Sequence, residues 1–362
     1  MGALQRAGMA VTGGVPVLTV DLGAIVANWR LLAARAAPAA CAAVVKADAY
    51  GLGVAAVAPA LVRAGCRVFF VAHLAEGIAL RRLLGGAPDI AVVHGPAPGS
   101  EPAFAAHALV PVLNSATQAE RWAASAATLP AMLQCDTGMA RLGVPMAEAV
   151  ALPALALRLL MSHLACADEP AHPANAAQLA ALRDLRRRFP AVPASLAASF
   201  GIFLGADYHF DLVRPGAALY GINPTTGPNP MRAAVRVQAP VMQTRTVAAG
   251  AGVGYGHTWH APAPARLATL GIGYADGLPR SLGNRGAAWF EGQRLPIVGR
   301  VSMDSITVDA SALAADALAP GTLFDLIGSD CDVDSVAAAA GSIGYELLTR
   351  LGDRFARQVA PM

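Results

Sequence analysis

The chain has 362 residues, 55% of them hydrophobic and 14% charged, with a formal net charge of +3. That length predicts two domains, and that composition predicts a large buried core with no disordered stretch. The charge is too small to argue for nucleic acid or an anionic membrane surface as a partner. Five cysteines (Cys41, Cys66, Cys135, Cys166 and Cys331) are scattered without a Cys-x-x-Cys spacing. They read as reduced thiols, not as a disulfide framework or a zinc site, and no metal is expected. No apolar run reaches the length of a membrane span without charge, Pro or Gly. The chain opens with one Arg before Gly13–Gly14–Val15–Pro16, which does not read as a signal peptide. These readings point to a cytoplasmic protein.

In chain order, short apolar strand-like runs alternate with longer helix-like stretches from Val15 to about Tyr220. Val17–Leu18–Thr19–Val20 leads into an amphipathic stretch, Leu22 to Arg35. Ala42 to Val45 leads into Val54 to Arg63, and Val68 to Val71 into Glu76 to Leu84. Ile90 to Val93, Val110 to Leu113, Ala131 to Gln134 and Leu159 to Ser162 continue the series. About eight βα units over roughly 200 residues favour a (β/α)8 TIM-type barrel over an open doubly wound sheet. Within it, Arg183–Asp184–Leu185–Arg186–Arg187–Arg188 reads as a solvated helix face, because no aromatic residues are interleaved with it. The Pro-, Thr- and Gly-rich stretch from Asn223 to Pro230 reads as a linker. Beyond it come β-type runs at 235–237, 241–247, 266–272, 293–298, 305–308 and 322–327, then helical stretches at 333–340 and 345–351. The expected division is a barrel domain over 1–230 and a smaller, mainly-β domain over 231–362.

The most informative segment is Val44–Val45–Lys46–Ala47–Asp48–Ala49–Tyr50–Gly51. A Lys directly after a buried strand stands at the strand's carboxyl end, where barrel enzymes place catalytic groups. Partial desolvation lowers such an amine's preference for its charged form and lets it condense with an aldehyde as a Schiff base. An isolated Lys at that place can equally do no more than cap the strand end.

The segment resembles the cofactor-lysine signature of the alanine racemase family. The likeness extends through Asp136–Thr137–Gly138–Met139–Ala140–Arg141–Leu142–Gly143, His163 to Glu169, and Asp211–Leu212–Val213–Arg214–Pro215–Gly216. It continues in Tyr255–Gly256, Gly273–Tyr274–Ala275–Asp276–Gly277, Val298 to Asp304 and Tyr345–Glu346. The resemblance implies pyridoxal 5'-phosphate as cofactor and an amino acid, alanine, as substrate. It implies two bases on opposite faces of the α-carbon, Lys46 on the D-side and Tyr255 on the other. A phenol is a poor base at neutral pH, and an imidazole–arginine relay, His163 and Arg214, would support it. Arg214 would face the pyridine nitrogen. A guanidinium cannot accept that proton, so the ring would stay a modest electron sink and the chemistry would stop at proton exchange. Ser199, the backbone N–H groups of Gly216 and Ala217, and the hydroxyls of Tyr50 and Tyr345 would hold the phosphate. Arg141 would neutralise the substrate or support the cofactor's phenolic oxygen, and the Met303 N–H would take the substrate carboxylate, with Tyr274 narrowing the entrance. Taken without the resemblance, His163 reads as a hydrogen-bonded core histidine, while an ordinary surface ion pair suits Arg214 less well beside Pro215–Gly216 at a strand end.

The chain also departs from the family pattern. Gln134 stands where a carboxylated Lys usually orients the Arg, and an amide cannot pair with a guanidinium as an anion does. Leu52, Ala198 and Gly344 replace a His and two Asn. A serine or broader-specificity racemase therefore stays open beside alanine racemisation. A decarboxylase of the same architecture and a non-catalytic cofactor carrier are the further rivals. The resemblance also implies a homodimer in which Tyr255 and Met303 complete the neighbour's site, and a role in supplying D-alanine to peptidoglycan.

Overall fold

The protein is described by a computed structural model covering residues 14–126 and 128–360. Most of the segment read against a signal peptide, 1–13, lies outside the described residues. The chain forms two compact units, one of Ile25–Arg232 and one of Met1–Ala24 with Ala233–Met362.

The first unit is the expected barrel. Parallel strands run through Ala43–Val44, Val68–Val71, Asp89–Val92, Val110–Leu113, Ala131–Asp136, Leu157–Met161 and Ala194–Ser195, each paired with the next. The eighth strand, Leu212–Val213, pairs in parallel with Ala40–Cys41. Its ends hydrogen-bond both ways: Arg214 N–H donates to Ala197 O at 2.9 Å, and Val44 N–H donates to Pro215 O at 2.9 Å. Those bonds close the ring, which therefore has no open edge to protect. Side chains from successive strands, among them Phe70, Val112, Met132, Leu159 and Met161, fill the interior as one buried cluster. It is a packed core, not a pore. The helices Val54–Ala64 and Leu74–Leu84 fall where the apolar spacing put them. The Arg-rich run closes the helix Pro173–Arg188, and its charges are paired outward: Arg183 with Asp207 at 2.9 Å, Arg186 with Asp211 at 3.0 Å, and Arg187 with Asp184. Cations in a last helical turn also meet the negative end of the helix dipole.

The strand Val17–Asp21 corrects the expectation that it opens the βα series. It lies in the sheet of the second unit, antiparallel to Val235–Val247 and parallel to Ala356–Ala360. Val17, Leu18 and Val20 are buried, and a run buried on both faces reads alike in a barrel or at the centre of a mixed sheet.

The second unit is mainly β. Val235–Val247 is one long strand and not the two expected runs, and its pairing shifts register between Val241 and Gln243. It pairs with Ala265–Leu270 along one stretch and with Leu323–Ile327 along another, so a single bent strand serves two parts of the sheet system. Helices Val333–Ala340 and Gly344–Thr349 close the unit, and Asp332 caps the first by accepting from Ser335 N–H at 2.7 Å. Among the described residues no helix is long and apolar enough to cross a membrane.

Candidate active site

Lys46 stands at the carboxyl end of the barrel strand Ala43–Val44 and opens an unusual turn. Ala47, Asp48, Ala49 and Tyr50 all take left-handed angles, with φ of 53°, 53°, 54° and 58°. For residues other than glycine this costs roughly 1–2 kcal/mol each, so the turn persists only because its surroundings over-determine it. Ala47 N–H donates to Glu76 Oε1 at 2.7 Å, Val54 N–H to Asp48 Oδ1 at 2.7 Å, and Gly53 N–H to Asp48 O at 2.9 Å. Lys46 itself reaches solvent at the barrel mouth. Even so, desolvation holds its amine below the ordinary lysine value; the charge of Arg141 pushes the same way and Glu76 opposes both. A lysine with a reduced hold on its proton is what nucleophilic and base chemistry needs.

Arg214 is the deepest charge in the barrel, only 4% exposed. It donates to Ser195 Oγ, to Ser162 O at 2.6 Å and more weakly to Leu196 O at 3.5 Å. None of the ion pairs found among the described residues includes it. Burial lowers its pKa to about 10, which still leaves it charged at neutral pH. The neighbouring His163 is pushed down to about 3, by desolvation first and then by the charges of Arg214, Arg141 and Lys46. Its imidazole is therefore neutral over the whole physiological range. Gln178, buried on the helix Pro173–Arg188, fixes the His163 loop: it donates to His163 O at 2.9 Å and to Thr137 Oγ1 at 3.2 Å, and accepts from Ala165 N–H at 2.8 Å. Neither Gln178 nor the pair Ser162 and Ser195 gives a sequence signal, because ordinary core positions carry the same residue types.

Of the expected phosphate residues, Ser199, Gly216, Ala217 and Tyr50 come together at the end of the eighth strand, whereas Tyr345 lies on the second unit. Ser199 Oγ accepts from Gly216 N–H at 3.0 Å and from Ala218 N–H at 3.1 Å. Ala217 N–H meets no acceptor among the described residues. Gly216 leaves a small cradle, since a Cβ there would sit 2.4 Å from the Tyr50 hydroxyl oxygen. Tyr50 stacks at 4.8 Å on Tyr220, whose buried hydroxyl donates to Val44 O at 3.0 Å. A hydroxyl, a backbone donor and a close-approach glycine beside Lys46 suit a phosphate-bearing aldehyde. The residues present fit pyridoxal phosphate.

Arg141 follows a tightly built turn in which Asp136 accepts from Gly138, Met139 and Ala140 N–H groups at 2.9–3.2 Å. Burial raises the Asp136 pKa, but those three donors outweigh it and hold the carboxyl below its ordinary range. The buried amide of Gln134 donates to Leu142 O at a long 3.4 Å. Arg141 forms no ion pair among the described residues.

The remaining candidates lie on the second unit. Tyr255 is 71% exposed, and Tyr274, Met303 and Tyr345 are exposed as well. Tyr255, Tyr274, Met303, Asp304 and Arg300 line a cavity of 960 Å³ on this unit. Two turns build it. Tyr274 N–H donates to Ser302 O and Ala275 N–H to Met303 O, both at 3.0 Å, while a Cβ on Gly273 would lie 2.2 Å from Met303 O. Arg354 ties the same turns together, 2.7 Å from Asp304 and 3.1 Å from the buried Asp276. The Met303 N–H meets no acceptor among the described residues, which leaves it available to an incoming anion.

Comparison with known proteins agrees with this picture. Residues 20–224 match the family model "Alanine racemase, N-terminal domain", and residues 234–359 match "Alanine racemase, C-terminal domain". A protein of Mesorhizobium japonicum named "Alanine racemase, catabolic" is 54% identical over 94% of this chain and 92% of its own. An "Alanine racemase" of Rhodospirillum rubrum is 48% identical over 94% of this chain and 95% of its own. The structure of alanine racemase from Bartonella henselae with covalently bound pyridoxal phosphate superposes with a TM-score of 0.91. It is 42% identical and covers 95% of this chain and 99% of that one. With both halves matched in order, and relatives near half identity along almost its whole length, the chain belongs to the alanine racemase family.

Proposed function

We propose that the protein is a pyridoxal-phosphate-dependent alanine racemase, interconverting L- and D-alanine by a two-base mechanism. The observation that carries this is the pairing of a partly desolvated strand-end amine, Lys46, with a buried guanidinium, Arg214, that has no carboxylate partner among the described residues. Pyridoxal phosphate, when bound, withdraws electrons from the substrate α-carbon and makes its hydrogen acidic. Lys46 would hold the cofactor's aldehyde, and Ser199, Gly216, Ala217, Tyr50 and Tyr345 would hold its phosphate. During turnover Lys46 Nζ exchanges the α-proton on the D-side, and the Tyr255 hydroxyl exchanges it on the other. Arg214 would offer the bound cofactor's ring donors and no proton acceptor, which would favour simple proton exchange over chemistry that needs wider delocalisation of the α-carbanion. Arg141 and the Met303 N–H orient the substrate carboxylate, and Tyr274 limits side-chain size.

The active species in this reading is a homodimer, in which Tyr255 and Met303 complete the neighbour's site. Their exposure on their own unit supports this. The five free thiols support a cytoplasmic location. D-alanine made there would supply peptidoglycan; since the two enantiomers are equally stable, the same residues also run the reaction toward breakdown. The alternative reading is a serine or broader-specificity racemase of the same fold, and Gln134 beside Arg141 is the departure that keeps it open. The test is racemisation of L-alanine beside L-serine by wild type, Lys46→Ala and Tyr255→Phe. Loss of bound-cofactor absorbance in the Lys46 variant, with selective loss of turnover in the Tyr255 variant, is the expected pattern. Normal cofactor absorbance with no racemisation of any substrate by wild type would point to a decarboxylase or a carrier.

A further inference from the structure

We propose that Glu76 is a positioning residue: its carboxylate clamps the left-handed turn behind Lys46 and thereby sets where the amine is presented. This rests on the two-base reading above. Glu76 lies on the first turn of the helix Leu74–Leu84, in the next βα unit of the barrel. One oxygen accepts from Ala72 and His73 N–H groups at 2.7 and 3.0 Å, capping its own helix. The other accepts from Ala47 N–H at 2.7 Å, the first amide after Lys46. A single carboxylate therefore bridges two neighbouring strand ends and carries a charge-assisted bond into four consecutive left-handed residues. Such a turn has lower-energy right-handed alternatives, and moving Ala47 moves the root of the lysine side chain.

The charge works in the same place. Of the groups that act on the Lys46 amine, Arg141 disfavours its protonated form and Glu76 favours it, while His94 and His163 lie close enough to feel the amine in turn. Glu76 is thus both a mechanical tie and the anionic counterweight to Arg141.

Two variants separate reach from charge, and both are read in the holoenzyme. Glu76→Gln keeps the shape but loses the charge and part of the acceptor set. Glu76→Asp keeps the charge and the helix cap but is one methylene short of Ala47. In both, amide hydrogen exchange over residues 46–54 should accelerate about tenfold or more, with the strands Val110–Leu113 and Ala131–Asp136 unchanged. In both, the primary isotope effect with α-deuterated D-alanine should grow while that with α-deuterated L-alanine shrinks, because only the Lys46 proton transfer becomes slower. Unchanged exchange over 46–54 in both variants overturns the proposal. So does acceleration spread evenly over the barrel, or a loss of rate that leaves both isotope effects at their wild-type ratio. If wild type washes the deuterium of α-deuterated D-alanine into water no faster than Lys46→Ala does, the assignment of Lys46 as base fails instead, and the exchange measurement still decides the role of Glu76.

Discussion

Ser199 gives the sharpest separation between holding the fold and holding a phosphate. Its hydroxyl oxygen is the acceptor for two buried backbone donors, Gly216 N–H at 3.0 Å and Ala218 N–H at 3.1 Å. Ser199→Ala removes both bonds without opening a route for water, since Ser199 is only 3% exposed. An orphaned buried donor costs about 1–3 kcal/mol. Two donors in one turn that can relax together should cost about 2–3 kcal/mol. For a unit of this size that lowers Tm by roughly 4–12 °C, measured on protein stripped of cofactor so that binding does not enter. The same variant should also bind pyridoxal phosphate more weakly, while its affinity for pyridoxal lacking the phosphate changes little. A cofactor-free Tm equal to wild type would refute the latch. Equal loss of affinity for both forms of the cofactor would refute the phosphate contact.

Gly216→Ala places a methyl group 2.4 Å from the Tyr50 hydroxyl oxygen and 3.2 Å from Val44 Cβ. Overpacking of this kind costs about 1–3 kcal/mol. The cradle should bind cofactor more weakly, by equilibrium titration, and Gly216→Ala combined with Tyr50→Phe should recover part of the loss. His163 supplies a pH dependence. Its folded pKa of about 3 lies below the ordinary histidine value of 6.5, so between those limits the unfolded chain binds more protons. Stability is then full above about pH 6.5 and falls as the pH drops toward 3, by as much as ~1.4 kcal/mol per pH unit. His163→Gln should flatten that acid limb in urea titrations at stepped pH, and an unchanged limb would assign it to other groups. Arg354→Gln should raise KM for alanine with little change in kcat, because it frees Asp304, next to Met303, from the Tyr274 turn. A fall in kcat at constant KM would contradict this.

The strands Val68–Val71 and Val110–Leu113 were legible because they are short, apolar and flanked by helix-length stretches. Ala194–Ser195 and Leu212–Val213 were not, being two residues each, with no periodicity to read. Pro240 broke one strand into two on paper, because proline normally ends a ladder. In the sheet it sits beside the register shift that bends Val235–Val247. Lys46, Arg214 and the residues around Gly216 stand out as candidates in the sequence because each lies in a local motif. Glu76 could not, since its contact to Ala47 spans 29 residues of sequence and its own surroundings look like a simple helix start. Gln178 is hidden in the same way, on an Ala-rich helix face whose partners come from two other loops.

The charges around His163 also constrain what a relay through it can be. Lys46, Arg141 and Arg214 all disfavour its protonation, after desolvation has already done so. With a pKa near 3, placing a proton on the ring at neutral pH costs on the order of 5 kcal/mol, at ~1.4 kcal/mol per pH unit. Over a turnover, that makes the imidazole a poor place to store the proton that a phenol base gives up. What it can do is remain neutral, with one ring nitrogen accepting and the other donating. Near it stands a guanidinium, Arg214, that stays charged because its pKa, about 10, is well above neutrality. On the proposed two-base reading, Arg214 would supply the charge beside a neutral His163, with no proton moved along a chain.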